Sequence, residues 1–236
     1  MNKLLFLFST LTLLAANSCE HKKIPEPIKE TSPKSLSCLA LGDSYTIGQS
    51  VPVEDRFPVQ LRTQLQAEGL LIDTMQIIAK TGWTTGDLKS AIANASFAAD
   101  TFDLVTLLIG VNNQYRGYPL SSYEPEFSEL LEQAIRFAGN RPDRVFVLSI
   151  PDYGVTPFGQ NRPNAAQISQ EIDAYNAVNR SISESRGVPY FDITPISRKA
   201  LNDLSLLASD QLHPSGKMYA RWVELLFPAA LERLRP

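Results

Sequence analysis

The chain has 236 residues, of which 44% are hydrophobic and 20% charged, a composition typical of one globular domain and not of a disordered chain. Its 22 lysines and arginines against 25 aspartates and glutamates give a net charge of −3, which excludes a strongly basic nucleic-acid-binding protein. Two cysteines cannot build a disulfide-rich scaffold, and two histidines, His21 and His213, exclude a histidine-rich metal site.

Residues 1–18 are predicted to be a signal peptide. Lys3 precedes a 13-residue apolar run over 4–16, which is shorter than the roughly 20 helical residues that span a bilayer. Cys19 follows, and this arrangement resembles the signal of bacterial lipoproteins, in which the cysteine is lipidated, although Asn17 departs from the usual small residue. We therefore expect a protein anchored by lipid in the bacterial cell envelope, periplasmic or surface-facing. Ordinary secretory cleavage, giving a secreted protein, is the alternative.

Residues 19–35 are predicted to be the lipidated cysteine and an extended tether. Three prolines and seven charged residues lie within 20–35, with only two aliphatic side chains, so this stretch cannot bury a core. Cys38 falls in an apolar stretch that favours a buried free thiol over a disulfide with Cys19.

From residue 36 to residue 236 the pattern predicts one α/β domain. Apolar runs predict five strands, and stripes of apolar residues three or four apart predict five helices. The strands are expected at 36–41, 72–79, 103–109, 144–150 and 188–193, and the helices at 54–68, 85–95, 123–138 with Gly139 as its C-cap, 164–186, and 215–234 with a bend or break near Pro228. Alternating strands and helices imply a mostly parallel sheet covered on both faces, with the functional site at the carboxyl ends of the strands.

Polar residues follow several of these strands. Ser44 follows the first strand, Gly82 the second and Asn112 the third, while Asp210 and His213 precede the last helix. A hydroxyl, a glycine, a primary amide and an acid–imidazole pair can therefore meet at one edge of the sheet. Each of these residues alone is ordinarily a turn, cap or surface residue, but together they are the groups that acyl transfer requires.

The chemistry gives each group a role. The hydroxyl of Ser44 needs an adjacent base to become a nucleophile, and His213 is the one imidazole of the predicted domain. Asp210 can orient that imidazole, while the backbone N–H groups of Ser44 and Gly82 and the amide of Asn112 can hold an oxyanion.

These residues resemble the SGNH hydrolases of the GDSL type, whose name comes from Ser, Gly, Asn and His in four separate blocks. The blocks are GDSY at Ser44, Gly82, GVNN at Asn112, and D-x-x-H at Asp210 and His213, in the family's order over residues 36–235. The resemblance implies a flavodoxin-like three-layer α/β/α sandwich with a five-stranded sheet. It also implies a catalytic triad of Ser44, Asp210 and His213, an oxyanion hole of Ser44, Gly82 and Asn112, and no metal or other cofactor.

The chain departs from the family pattern at two positions. Tyr45 stands where the family name has leucine, and Asn113 stands where aspartate is common. We expect Asn113 to bond the local backbone and activity to survive. Because position 46 is threonine, Ser44 is not in the G-x-S-x-G turn of the α/β-hydrolase fold. Nucleotide-binding glycine motifs are also absent from the sequence.

Aromatic and polar residues flank the predicted site and lead to a substrate hypothesis. Trp83, Tyr115, Arg116 and Tyr153 are expected to line the substrate pocket, with Phe158 and Arg162 nearby and loop 151–163 as a wall. The alternative is that some of these side chains only pack under loops. No long apolar lid is visible, so we expect a serine esterase acting on short, acetyl-like acyl esters of carbohydrates or other small alcohols.

Two other functions remain open from the sequence. One is a catalytically silent envelope lipoprotein that binds glycan or lipid, and the other is an acyltransferase using the same triad. The expected partners are a small-molecule or glycan ester and, through the N-terminal lipid alone, a membrane. We expect a monomer that binds no nucleic acid.

Overall fold

A computed structural model describes residues 35–235 of the protein. Its five strands form one sheet in which every neighbouring pair is parallel, namely β1 (Leu36–Gly42), β2 (Ile72–Ala79), β3 (Leu104–Leu108), β4 (Val145–Leu148) and β5 (Tyr190–Phe191). The strand order is β2-β1-β3-β4-β5. This is the flavodoxin-like order. The chain places β2 on one side of β1 and then β3, β4 and β5 on the other side, so the topological switch point lies between β1 and β3. The predicted signal peptide, Cys19 and nearly all of the predicted tether lie outside the described residues.

Nine α-helical segments connect or follow the strands within residues 35–235. They are α1 (Ser44–Ile47), α2 (Phe57–Ala67), α3 (Thr85–Ala93), α4 (Val111–Tyr115), α5 (Leu120–Phe137), α6 (Pro157–Gln160), α7 (Ala165–Ser185), α8 (Thr194–Arg198) and α9 (Gly216–Leu234). Helix α2 packs against α9, whereas α3 packs against α5 and α5 against α7. The sheet therefore lies between two helical layers, which confirms the predicted α/β/α sandwich.

Burial explains the apolar runs of the central strands. Every residue of β3 and β4 is buried, because helices cover both faces of the sheet there. The edge strand β2 is partly exposed. Cys38 on β1 is a buried free thiol, and burial raises its pKa to about 12, so the thiolate form is suppressed.

The predicted elements differ from the structure mainly at their ends. The fifth strand covers only Tyr190–Phe191, and α9 continues through Pro228 where a bend or break was expected. The burial of one face of α9, from Met218 to Leu234, offsets the loss of the backbone hydrogen bond that Pro228 cannot donate. Ala138 caps α5, and Gly139, the predicted cap, is the next residue with a φ of 68°.

No helix within residues 35–235 is both long enough and apolar enough to span a lipid bilayer.

Candidate active site

The residues predicted from four separate parts of the sequence meet in one pocket. The pocket has a volume of about 180 Å³ and lies at the carboxyl edge of the sheet. It is lined by Ser44, Tyr45, Thr81, Gly82, Val111, Asn112, Tyr115, Tyr153, Phe158, Leu212 and His213. A larger groove of about 590 Å³ lies between α7 and the β5–α8 segment, but none of the predicted site residues lines it. We therefore take the smaller pocket as the candidate site, because it is the one that the predicted catalytic groups line.

The end of β1 and the start of α1 place Ser44. A side chain at Gly42 would bring its Cβ to 2.2 Å from Thr46 Oγ1 and 2.4 Å from the Leu108 carbonyl oxygen, so only glycine fits there. Asp43 then caps α1 by accepting a hydrogen bond from the N–H of Tyr45 at 3.0 Å. Ser44 is the first residue of α1, so its own N–H has no partner within the helix.

Asp210 and His213 form a hydrogen-bonded pair on the loop before α9. His213 Nδ1 lies 2.7 Å from Asp210 Oδ2, and the backbone N–H of His213 donates to Asp210 Oδ1 at 2.9 Å. The N–H of Leu212 donates to Oδ1 as well, at 3.0 Å. Partial burial by itself would raise the Asp210 pKa, but hydrogen bonds from Ser50, His213 and Leu212 outweigh it and lower that pKa to about 2. The carboxylate is therefore charged at every pH at which an imidazole can act as a base.

Ser50 is a contributor to this pair that sequence reasoning did not find. Its hydroxyl donates to Asp210 Oδ2 at 2.6 Å, across 160 positions of sequence. Ser50 has a φ of 66°, a backbone conformation uncommon for a serine. The sequence offers no motif that would indicate this contact.

Ser44 and His213 both line the pocket, yet they are not hydrogen-bonded to each other in this structure. Among the hydrogen bonds of residues 35–235, none involves the Ser44 hydroxyl or Nε2 of His213. Catalytic hydrogen bonds are often long before substrate binds, so both groups are free to act on a substrate.

Three N–H donors border the pocket near Ser44. Gly82 has a φ of 84°, which favours glycine, and Arg116 holds its carbonyl oxygen through a 2.7 Å hydrogen bond. The backbone N–H groups of Ser44 and Gly82 take part in no hydrogen bond within residues 35–235. Asn112 Nδ2 donates one hydrogen to the Trp83 carbonyl oxygen at 2.9 Å, which leaves a second hydrogen available.

The pocket wall differs in part from the prediction. Tyr115 and Tyr153 line the pocket as expected, and Phe158 joins them from loop 151–163. Trp83 and Arg116 do not line it. Trp83 packs against the hydrophobic core, and Arg116 is turned to the Gly82 carbonyl, with Asp87 3.7 Å away.

Residues 40–221 match the model of the GDSL-like lipase/acylhydrolase family. The chain belongs to the GDSL-like lipase/acylhydrolase family. The match includes all four blocks that surround the pocket, so the family assignment and the site rest on the same residues.

Several solved structures, among them an acetylxylan esterase and a protein of the G-D-S-L family, share this fold. TesA superposes with a TM-score of 0.62 at 16% identity, covering 84% of this chain and 99% of TesA. Axe2, an acetylxylan esterase from Geobacillus stearothermophilus, superposes with a TM-score of 0.60 at 21% identity, covering 86% of this chain and 95% of Axe2. A putative lipolytic protein of the G-D-S-L family from Desulfitobacterium hafniense DCB-2 gives 0.64 at 18%, with 83% and 99% covered. These TM-scores show that the three structures share the fold of this chain. Sequence comparison with curated proteins gives no match.

The two departures from the GDSL pattern have structural roles. The Tyr45 ring packs 5.6 Å from the His213 ring, centroid to centroid, at an angle of 57°. Asn113 does not bond the local backbone as expected. Its side chain accepts from the Thr85 N–H at 3.0 Å and donates to the Thr85 hydroxyl at 2.7 Å, which ties α4 to α3.

The aspartate of the GDSL block makes folding stability depend on pH. Burial raises the pKa of Asp43 to about 7, although the hydrogen bond from Tyr45 acts in the opposite direction. Between about pH 4 and pH 7 the folded chain keeps a proton that the unfolded chain releases, so stability falls as pH rises through this window. Asp43→Asn cannot titrate. We expect its free energy of unfolding, relative to the wild type, to rise from pH 4.5 to pH 7 in urea titrations. A difference that stays constant with pH would contradict the raised pKa.

Proposed function

We propose that the chain is a serine esterase in which Ser44 is the nucleophile. The Ser44 oxygen attacks the ester carbonyl while Nε2 of His213 takes the hydroxyl proton, and Asp210 orients the ring through Nδ1. His213 then returns the proton to the leaving alcohol, and water hydrolyses the acyl-enzyme. The observation that carries the proposal is that Ser44 and His213 line the same pocket and that Asp210 is hydrogen-bonded to this histidine. No step in this sequence calls for a metal or other cofactor.

The proposed oxyanion hole consists of the N–H groups of Ser44 and Gly82 and the amide of Asn112. The two backbone donors are unengaged within residues 35–235, and the Asn112 amide is held in place by the Trp83 carbonyl oxygen. Fixed donors of this kind stabilise developing charge with little reorganisation.

Asn112→Ala tests this hole. We expect kcat to fall by about 10²- to 10³-fold with a smaller change in KM, because the donor acts mainly on the transition state. The matched control is Asn94→Ala, which removes an exposed amide at the C-cap of α3 whose one hydrogen bond within residues 35–235 is to the Ser90 carbonyl oxygen. Full activity in the Asn112 variant would remove this residue from the hole.

We further propose short acyl groups on a carbohydrate or another small alcohol as the substrate. A volume of about 180 Å³ lies below the roughly 300–1,000 Å³ of sites that enclose drug-sized ligands, which suits an acetyl or butyryl group. The fold is shared with an acetylxylan esterase, which adds modest support for a carbohydrate ester.

An acyl-length series tests the substrate proposal. p-Nitrophenyl esters from acetate to dodecanoate would be tested as substrates of residues 20–236, and we expect kcat/KM to be highest for acetate or butyrate. Adding an acceptor alcohol and analysing products separates hydrolysis from acyl transfer. Rates that rise steadily to the longest chain would defeat the short-acyl proposal.

For location, we propose a bacterial envelope protein held by a lipid on Cys19. Labelling of the full-length protein by a fatty-acid analogue in bacterial cells, and its loss in Cys19→Ser, is the expected result. Label that persists in this variant would overturn the anchor.

A further inference from the structure

Arg162 stacks on two rings that line the candidate pocket and has no role in the proposed reaction. It belongs to loop 151–163, and its guanidinium carbon is 4.6 Å from the ring centroid of Tyr115 and 4.9 Å from that of Phe158. Nη2 donates to the Tyr115 hydroxyl at 2.6 Å. Both rings line the pocket, whereas Arg162 itself does not. The guanidinium is therefore one layer outside the space proposed for the acyl group.

Within the described part of the chain, no ion pair balances the charge of Arg162. Within residues 35–235 no carboxylate lies within ion-pair distance of it, in contrast to Arg116, which pairs with Asp87, and Arg198, which pairs with Asp152 and Asp173. Glu171 and Arg162 both lie near Tyr153. Glu171 forms no ion pair with Arg162 within residues 35–235, and it accepts hydrogen bonds from two glutamine side-chain amides instead.

The environment of this cation favours an anion from outside. Arg162 is only partly exposed, and its Nε is buried and has no hydrogen-bond partner among the described residues. Nη1 makes no hydrogen bond to residues 35–235. Stacking on two rings holds the guanidinium in one orientation, and partial removal of water strengthens its attraction for a negative charge. Arginine binds carboxylates with charge-assisted hydrogen bonds whose geometry is well defined.

We propose that Arg162 binds a carboxylate on the alcohol part of the ester, as in an acidic sugar, and so makes anionic esters the preferred substrates. We place the carboxylate on the alcohol part of the ester because the small pocket is proposed to hold the acyl group, and Arg162 lies outside the residues that line it. This inference rests on the proposed esterase activity.

The test compares 3-acetoxybenzoate with 3-acetoxybenzamide, which share the acetyl group and the phenolic oxygen and differ in charge. For the wild type we expect kcat/KM to be about tenfold higher for the benzoate. Arg162→Gln should lower kcat/KM for the benzoate about tenfold, mainly through KM, and change that for the benzamide less than about twofold. Arg136→Gln is the matched control, since it removes the same charge from an exposed residue in the last turn of α5.

Several results would overturn the inference. Equal wild-type kcat/KM for the two esters would do so, as would equal losses on both esters in Arg162→Gln, which would mean that Arg162 only holds Tyr115. If Arg136→Gln lost the preference for the benzoate to the same extent, the preference would be due to the net charge of the protein and not to Arg162.

A binding measurement tests the role of Arg162 without depending on turnover. Calorimetry with Ser44→Ala should give tighter binding of the benzoate than of the benzamide, and the difference should vanish in Ser44→Ala/Arg162→Gln. If the wild type hydrolyses neither of these esters nor p-nitrophenyl acetate, the proposed esterase function fails, and this binding difference alone decides whether Arg162 binds a carboxylate. Equal affinities would overturn it.

Discussion

Replacing Ser44 with alanine is expected to lower kcat for p-nitrophenyl acetate by about 10⁴- to 10⁶-fold while the protein stays folded. The loss is large because no second nucleophile replaces the hydroxyl in the proposed acyl-enzyme route. The fold should survive because the Ser44 hydroxyl makes no hydrogen bond within residues 35–235, whereas the backbone carbonyl of Ser44 still accepts from Gln49.

The design of this experiment excludes general effects of losing a hydroxyl. Ser90→Ala is the matched control, since Ser90 is exposed on α3 and bonds only a carbonyl oxygen of its own helix. We expect the control to keep wild-type kcat within about twofold, and circular dichroism to show the same Tm for all three proteins. A Ser44 variant that keeps a tenth of the wild-type kcat would exclude Ser44 as nucleophile. A folded wild type that turns over no ester would favour the silent binding protein.

The sequence predicts best where burial imposes a regular pattern. The apolar run at β3 and the helical stripe that includes Phe127 and Leu131 reflect one large buried surface each, so both elements are found close to their predicted positions. The short helices α1 and α4 were not predicted, because four or five residues carry no periodicity. Tertiary contacts, such as the bonds between Asn113 and Thr85, set their orientation instead.

The pocket was harder to predict than the chemical groups in it. Nucleophile, base and oxyanion donors follow strand ends, and a parallel sheet brings strand ends together. Which aromatic residues face them depends on how loop 151–163 and the segment between β2 and α3 pack. Phe158 reaches the pocket, while Trp83 packs against the core. The role of Ser50 is not predicted from the sequence either, because its contact with Asp210 depends on an uncommon backbone conformation.

Asp210→Asn is expected to lower kcat by about 10³- to 10⁴-fold, which is far more than the loss of one hydrogen bond would cost. Oδ1 of Asp210 accepts from the N–H groups of Leu212 and His213, so the oxygen of an asparagine is best kept at that position. Its NH₂ group then faces His213 Nδ1, which in the wild type lies 2.7 Å from Oδ2. Because NH₂ donates, Nδ1 must accept, and the ring proton moves to Nε2. A protonated Nε2 cannot take the proton of Ser44.

Two controls separate this tautomer effect from loss of charge or of one contact. Asp143→Asn removes the same charge beside the start of β4 and should keep wild-type kcat. Ser50→Ala removes the hydroxyl that also bonds Oδ2 but leaves the acceptor facing Nδ1, so kcat should fall by no more than about tenfold. Since the pKa of Asp210 is about 2, the wild-type carboxylate is charged throughout assays at pH 6 to 8. An Asp210 variant no slower than Ser50→Ala would show that the carboxylate only holds the loop, and His213 would then have to act as base without it.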